Sequence, residues 1–303
     1  MKFLMFADLH HAPGIFMGGT WEDLQKIQQR AEAEQVDFII HAGDFCHDVS
    51  KAADYIKAYN DFHIPSYHCL GNHDCDGTPY QQTLKAYNMP DGHYFFDCKG
   101  YRFIIYDPNY CYYNGEYIHY DCGNYFAMQS ARDYVPPEQL AWLEKTIADS
   151  PYPCVMISHE SIEREADCVK NRQDVRDIIN NANKKKPGSV LLVINGHLHR
   201  DFIRIMDGVC YWDVNSASFD WLFETHDLYP KELCDQIECM NHIVVYNDPL
   251  FAVVTLEGST IQIDGCESSM FMGITREMTG NKRLDGDGRP VTPRIQSAKI
   301  TLG

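Results

Sequence analysis

The chain has 303 residues, of which 45% are hydrophobic and 23% charged, with 26 basic side chains against 43 acidic ones. That is enough apolar sequence for one large domain or two modest ones. The formal charge of -17 argues against broad electrostatic binding to nucleic acid, which needs a basic surface.

In chain order, residues 2–7 read as a short apolar strand ending at Asp8. Residues 20–34 open with a capping Thr and have helix-forming composition. Residues 36–44 are β-branched and aromatic and end in Gly-Asp, a second helical pattern covers 50–60, and 65–74 is a strand that runs into polar residues. This alternation predicts βαβ units and a parallel sheet. Residues 93–106 predict a hairpin turning at Lys99-Gly100. The next segment, 107–134, is crowded with Tyr and shows no clear period. Helices are expected over 136–150 and 171–183, and buried strands ending in histidines over 154–160 and 189–199. Beyond residue 201 the pattern is mainly β, with runs at 201–206, 209–214, 242–246, 250–256 and 260–263. The expected organisation is a catalytic domain over 1–263, with a C-terminal extension, 264–303, packed on it.

No apolar run approaches the ~20 residues that cross a bilayer, and the stretch before Asp8 is too short for a signal-peptide core. The expectation is a cytoplasmic protein with no membrane partner. None of the 12 cysteines forms a C-x-x-C pair, so reduced thiols are expected rather than a zinc knuckle. A Cys111–Cys122 pair stays open. The run Lys184 to Lys186 fits a solvated helix end.

Five predicted strand ends carry polar residues: Asp8-Leu9-His10, Gly43-Asp44, Gly71-Asn72-His73-Asp74, His159, and Gly196-His197-Leu198-His199. In an open α/β sheet the ligand site lies outside the carboxyl ends of the strands, so the five ends point to one shared site. Imidazole and carboxylate donors without thiolate favour Mn, Fe or Zn. In Asp8-x-His10 and His197-x-His199, alternate side chains share one side if the backbone stays extended. The donors are too many for one tetrahedral ion. They suit two, with Asp44 the natural bridge and a bridging hydroxide as nucleophile.

These blocks, in this order, resemble the calcineurin-like metallophosphoesterases, whose pattern is D-x-H, G-D, G-N-H-D/E, H, then G-H-x-H. The resemblance spans residues 8–199 and implies an α/β fold of two facing mixed β-sheets flanked by helices, in four layers. It implies that Asp8, His10 and His199 hold one metal, that Asn72, His159 and His197 hold the other, and that Asp44 bridges them. His73 would assist the leaving oxygen, and Asp74 would orient His73. One departure stands out. Many relatives have Asp three residues after the bridging Asp, and here that position is His47, followed by Asp48. The expected reaction is hydrolysis of a small phosphodiester, possibly nucleotide-like. A phosphomonoesterase and a non-catalytic metal-binding scaffold are the alternatives, and the acidic charge makes a nuclease the weaker enzyme reading. His11, His41, His47 and His68 are expected to be structural or exposed rather than ligands. The Tyr-rich segment reads either as a surface loop or as a lid over the metals, with Tyr110, Tyr112, Tyr113 and Tyr117 as candidate substrate contacts.

Overall fold

The computed structural model describes residues 1–165, 167–222, 225–280 and 291–303. In chain order the first elements are β1 (Lys2–Phe6), α1 (Trp21–Glu34), β2 (Phe38–His41), α2 (Ala53–Asn60), β3 (Ser66–Tyr67) and α3 (Tyr80–Ala86). Next come β4 (Tyr94–Cys98), β5 (Tyr101–Ile105), β6 (Tyr110–Tyr113), β7 (Glu116–His119), α4 (Pro137–Ala148), β8 (Cys154–Ile157), α5 (Arg172–Lys185) and β9 (Val190–Asn195). The rest is β10 (Phe202–Met206), β11 (Val209–Asp213), β12 (Phe219–Trp221), α6 (Lys231–Cys234), β13 (Ile243–Val245), β14 (Ala252–Glu257), β15 (Thr260–Asp264) and β16 (Ala298–Thr301).

Two mixed six-stranded sheets form the frame, in the orders β16-β15-β14-β1-β2-β3 and β10-β11-β9-β8-β5-β4. Alternation along each strand makes the layers. Phe3 and Met5 of β1 turn inward and meet Phe103, Ile157, Ile194 and Trp212 of the other sheet in a central core. Leu4 and Phe6 turn outward onto Leu24 and Ile27 of α1 and Tyr55 and Tyr59 of α2. On the far side, Ile104 and Met156 meet Leu143 of α4 and Val175 and Ile179 of α5. The result is helix, sheet, sheet, helix, as the resemblance implies.

The parallel pairs β1–β2 and β2–β3 in one sheet, and β5–β8, β8–β9 and β9–β11 in the other, bring the carboxyl ends of these strands to one edge. Local signals mark the boundaries. Thr20 caps α1 in a reciprocal capping box with Asp23, and the β4–β5 hairpin turns at Lys99 and Gly100, both at positive φ. The strands at 36–44 and 65–74 are shorter than the sequence pattern indicates. They end at His41 and Tyr67, because the polar residues that follow leave the ladder to build loops.

Residues 107–134 do contain regular structure. Asn114 and Gly115, both at positive φ, make a tight turn between β6 and β7, an Asn-Gly signal that the density of Tyr obscures. After residue 264 the chain returns to the first sheet, where β16 pairs antiparallel with β15 and Val291, Ile295 and Leu302 join the central core. Within that C-terminal segment, residues 281–290 lie outside the described residues. All 12 cysteines are free thiols, with Cys111 buried and Cys122 exposed. No helix among the described residues is long and apolar enough to cross a membrane.

Candidate metal centre

The loops after β1, β2, β3, β8 and β9 deliver the seven predicted metal ligands to the shared edge, and they do so by bending. Asp8, His10, Asp44, His197 and His199 have φ of 53°, 51°, 52°, 70° and 49°. This is the left-handed region, where a non-glycine residue carries roughly 1–3 kcal/mol of strain. The extended backbone that alternate-side pairing of Asp8 and His10 would need is absent, and each ligand instead sits at its own tight turn. Backbone bonds hold these turns, from Asp8 N–H to Gly43 O (3.0 Å) and from His10 N–H to Asp44 O (2.8 Å).

Glycines let the loops interlock. A Cβ at Gly71 would lie 2.2 Å from Asp44 Oδ1, and one at Gly43 would lie 2.4 Å from His159 Nδ1. The Gly-Asp and Gly-Asn-His spacings therefore have a steric cause.

The ligands fall into two triads, Asp8–His10–His199 and Asp44–His159–His197, with the donor atoms of each triad within 4.8 Å of one another. Asp44 Oδ2 lies 3.1 Å from His159 Nε2 and 3.7 Å from His10 Nε2, which puts it between the triads. Across the first triad, the Nε2 atoms of His10 and His199 are 3.0 Å apart. The ring orientations suit ligation. His159 Nδ1 donates to Ala42 O (2.7 Å) and His199 Nδ1 donates to Phe219 O (2.7 Å), leaving both Nε2 atoms turned to the centre. Asn72 Oδ1 is buried and has no hydrogen-bond partner among the described residues, while Asn72 Nδ2 donates to Tyr125 Oη (3.3 Å). A buried amide oxygen without a donor costs about 1–3 kcal/mol, and a cation beside it removes that cost. The donor set therefore fits a dimetal centre.

The electrostatics agree. Burial, reinforced by neighbouring imidazoles, holds His10 well below the usual histidine range, so it is neutral and able to ligate. Burial also opposes charge on His159, but the carboxylates of Asp44 and Asp8 outweigh it and raise that pKa well above the usual value. The site attracts positive charge there.

His73 faces the centre, and its orienting carboxylate is Asp76 rather than the predicted Asp74. His73 Nδ1 donates to Asp76 Oδ2 at 2.5 Å. Asp76 lies three residues after His73, across the single 3-10 turn formed by Asn72–Cys75, where i and i+3 eclipse. Asp74 points the other way. Its carboxylate accepts backbone N–H bonds from Asp44 (3.0 Å), Phe45 (2.9 Å), Cys46 (3.1 Å) and Gly71 (2.7 Å), and a bond from Tyr87 Oη (2.6 Å). It splints the loop that carries Asp44.

His47 is not idle surface. With His10 Nε2 turned inward, His10 Nδ1–H donates to His47 Nε2 (2.9 Å), and His47 Nδ1 reaches Asp76 Oδ2 (3.3 Å). Its ring stacks on His73 with centroids 4.3 Å apart. A histidine–aspartate relay thus stands where many relatives have a single Asp. The expectation holds for the other three histidines. His11 stacks on Tyr55, and His41 and His68 bond to each other in the core.

The centre opens into a cleft of about 480 Å³, lined also by Tyr125, Phe126, Arg132, Trp221 and Leu222. Tyr110, Tyr112, Tyr113 and Tyr117 do not line it. They belong to the β6–β7 ladder, where Tyr112 packs on Tyr117 (4.8 Å) and Tyr110 on His119 (4.7 Å), with Tyr112 and Tyr113 exposed. Pairing as a hairpin turns their rings away from the metals. The part of this segment that reaches the site is 124–133. Tyr125 Oη donates to Asp76 Oδ1 (2.8 Å) and accepts from Asn72, so it sets the Asn72 amide with its oxygen inward. Asp76, Tyr125 and the role of His47 escape a motif reading. The i+3 spacing of His73 and Asp76 is the one local signal for them.

A model of the calcineurin-like phosphoesterase family matches residues 1–201. No curated protein sequence matches the chain. Among solved structures, a dimetal phosphatase from Danio rerio is similar over 90% of this chain and 99% of its own, with TM-score 0.63 at 15% identity. The GAP50 anchor of the inner membrane complex of Plasmodium is similar over 100% of this chain and 89% of its own, with TM-score 0.55 at 13% identity. At such identities these structures speak to the fold, while the match over residues 1–201 settles the family: the chain belongs to the calcineurin-like phosphoesterases, hydrolases of phosphoester bonds.

Proposed function

We propose that this protein hydrolyses a small phosphodiester, with a nucleotide-like compound as the favoured substrate and Mn, Fe or Zn as the metal pair. The observation that carries the reading is Asp44 lying between two triads on the floor of a cleft with His73 beside it. When bound, a metal pair supplies Lewis-acid stabilisation of the phosphoryl oxygens and a nucleophile at neutral pH. The N and O donors suit Mn, Fe and Zn alike.

The chain's own residues do the rest. Asp76 holds Nδ1 of His73, leaving Nε2 for the leaving oxygen. Burial works against charge on His73, but Asp44 and Asp76 outweigh it and raise its pKa above the ordinary histidine value. The two carboxylates thus favour the protonated ring, the form that can give a proton to the departing alkoxide. Lys170, at the cleft margin, adds positive charge toward a phosphate, whereas Arg132 is paired with Asp133 at 3.0 Å. The apolar part of the lining favours a diester, because an organic arm beyond the cleaved bond then has a surface to pack on. The aromatic rings of Tyr125, Phe126 and Trp221 suit a flat organic arm. Twelve free thiols fit a reducing, cytoplasmic setting.

The test compares turnover of bis-p-nitrophenyl phosphate and p-nitrophenyl phosphate by protein loaded with Mn, Fe or Zn. Preference for the diester is expected. Turnover of the monoester alone would replace this reading with a phosphatase.

A further inference from the structure

A second cleft, of about 560 Å³, adjoins the metal cleft and shares Lys170 with it. Among the described residues, six cationic side chains line it, Arg164, Lys170, Arg172, Arg176, Arg200 and Arg204, with the carboxylates of Glu163 and Glu165, and Arg164 and Arg200 have further partners of their own. In a chain of net charge -17 with only 26 basic residues, this local excess of positive charge runs against the composition.

Two periodicities assemble it. Arg172 and Arg176 stand one turn apart on α5. Arg200 and Arg204 fall on one face of the chain running into β10, the edge strand of its sheet, at even spacing. Arg204 is neutralised by Glu163, with Nη1 to Oε1 at 2.6 Å. Arg172 and Arg176 form no ion pair among the described residues, and the one side-chain bond of Arg176 runs from Nη2 to Met206 Sδ (3.8 Å). Both are half-buried. Cations held close without counterions repel one another, and an anion in the cleft relieves that repulsion. Guanidinium forks match phosphate oxygens in pairs.

We infer that this cleft is an anion subsite that takes a phosphate group of the substrate remote from the one cleaved. This rests on the phosphoester reading of the metal cleft and narrows its substrate class to phosphoesters carrying at least one further phosphate. Lys170, at the junction, spans the two phosphates.

Calorimetric titration of the metal-loaded full chain with inorganic tripolyphosphate tests the subsite without relying on turnover. Arg172→Gln/Arg176→Gln should weaken binding by about tenfold or more, since each lost contact is a hydrogen bond to a charged group. Arg172→Lys/Arg176→Lys, which keeps the charge but loses the paired fork, should bind more weakly than the native chain and more tightly than the Gln pair. Native affinity in the Gln pair, with native circular dichroism and metal content, overturns the subsite. If the Gln pair does not fold, the exposed Arg204→Gln should still weaken binding measurably, and no loss there overturns it equally.

The substrate assignment is read from two nitrophenyl diesters that differ only by a terminal phosphate on the second arm. The native enzyme should show the lower KM for the phosphorylated one, and the Gln pair should lose that preference with kcat kept. Equal KM values in the native enzyme overturn the assignment. If no phosphoester at all is turned over, the phosphoesterase reading fails, while the calorimetry still decides the subsite.

Discussion

The ligand loops and the Tyr-rich segment contribute to the same cleft in opposite ways. The ligand loops act through backbone. Five of their ligands sit at positive φ, glycines with no room for a Cβ let them interlock, and Asp74 splints them through four backbone amides. The Tyr-rich segment acts through side chains of 124–133: Tyr125 touches Asn72 and Asp76, and Phe126 and Arg132 line the cleft. A chemical motif that depends on backbone shape is written in residue types at fixed spacing. A contribution that depends on where a hairpin packs is written nowhere in particular.

Changes that attack the backbone frame should therefore cost most. Gly71→Ala puts a methyl into Asp44 and should abolish retention of the metal pair and lower activity by about 10³-fold or more, since a displacement of ~1 Å alone can cost 10²-fold. Metal analysis with turnover checks it, and a fully active variant would break the contrast. His73→Gln, with the frame intact, should lower kcat by about 10²–10⁴-fold while metal content stays native.

Asp76→Asn should cost about 10–100-fold and also move the pH profile. The pKa of His73 is raised in the native chain, so its proton is present below that pKa and activity falls as pH rises through it. Removing the Asp76 charge lowers that pKa, so the alkaline fall should begin at lower pH. An unmoved alkaline limb would assign His73's proton to another support. The smallest effect sharpens the comparison within the Tyr-rich segment. Tyr125→Phe should lower activity by about tenfold through loss of its two bonds, whereas Tyr112→Phe should leave it unchanged. Equal effects would mean that the outer hairpin reaches the substrate after all.

Much of this was legible from residues alone, for identifiable reasons. Short apolar runs alternating with helical patterns disclosed the sheets, because strands covered on both faces are apolar along their whole length. The order Asp8, His10, Asp44, Asn72, His159, His197, His199 disclosed which polar residues the fold gathers at one edge, because each follows a strand. The failures lie where contacts are tertiary. The resemblance implied Asp74 as the residue that orients His73, yet neighbouring residues on a 3-10 turn point apart and Asp76 at i+3 meets the ring. His47 reads as a bystander until the fold sets it between His10 and Asp76. Four tyrosines at 110–117 read as either a surface loop or a lid until Asn114-Gly115 turns them into a ladder.

The central claim is a dimetal centre bridged by Asp44 that performs phosphoester hydrolysis. Its most direct test is elemental analysis and turnover of bis-p-nitrophenyl phosphate on the same samples of native protein and Asp44→Asn. Two ions per native chain are predicted, with metal and turnover both falling in the folded variant. Two retained ions and full turnover in Asp44→Asn would contradict it.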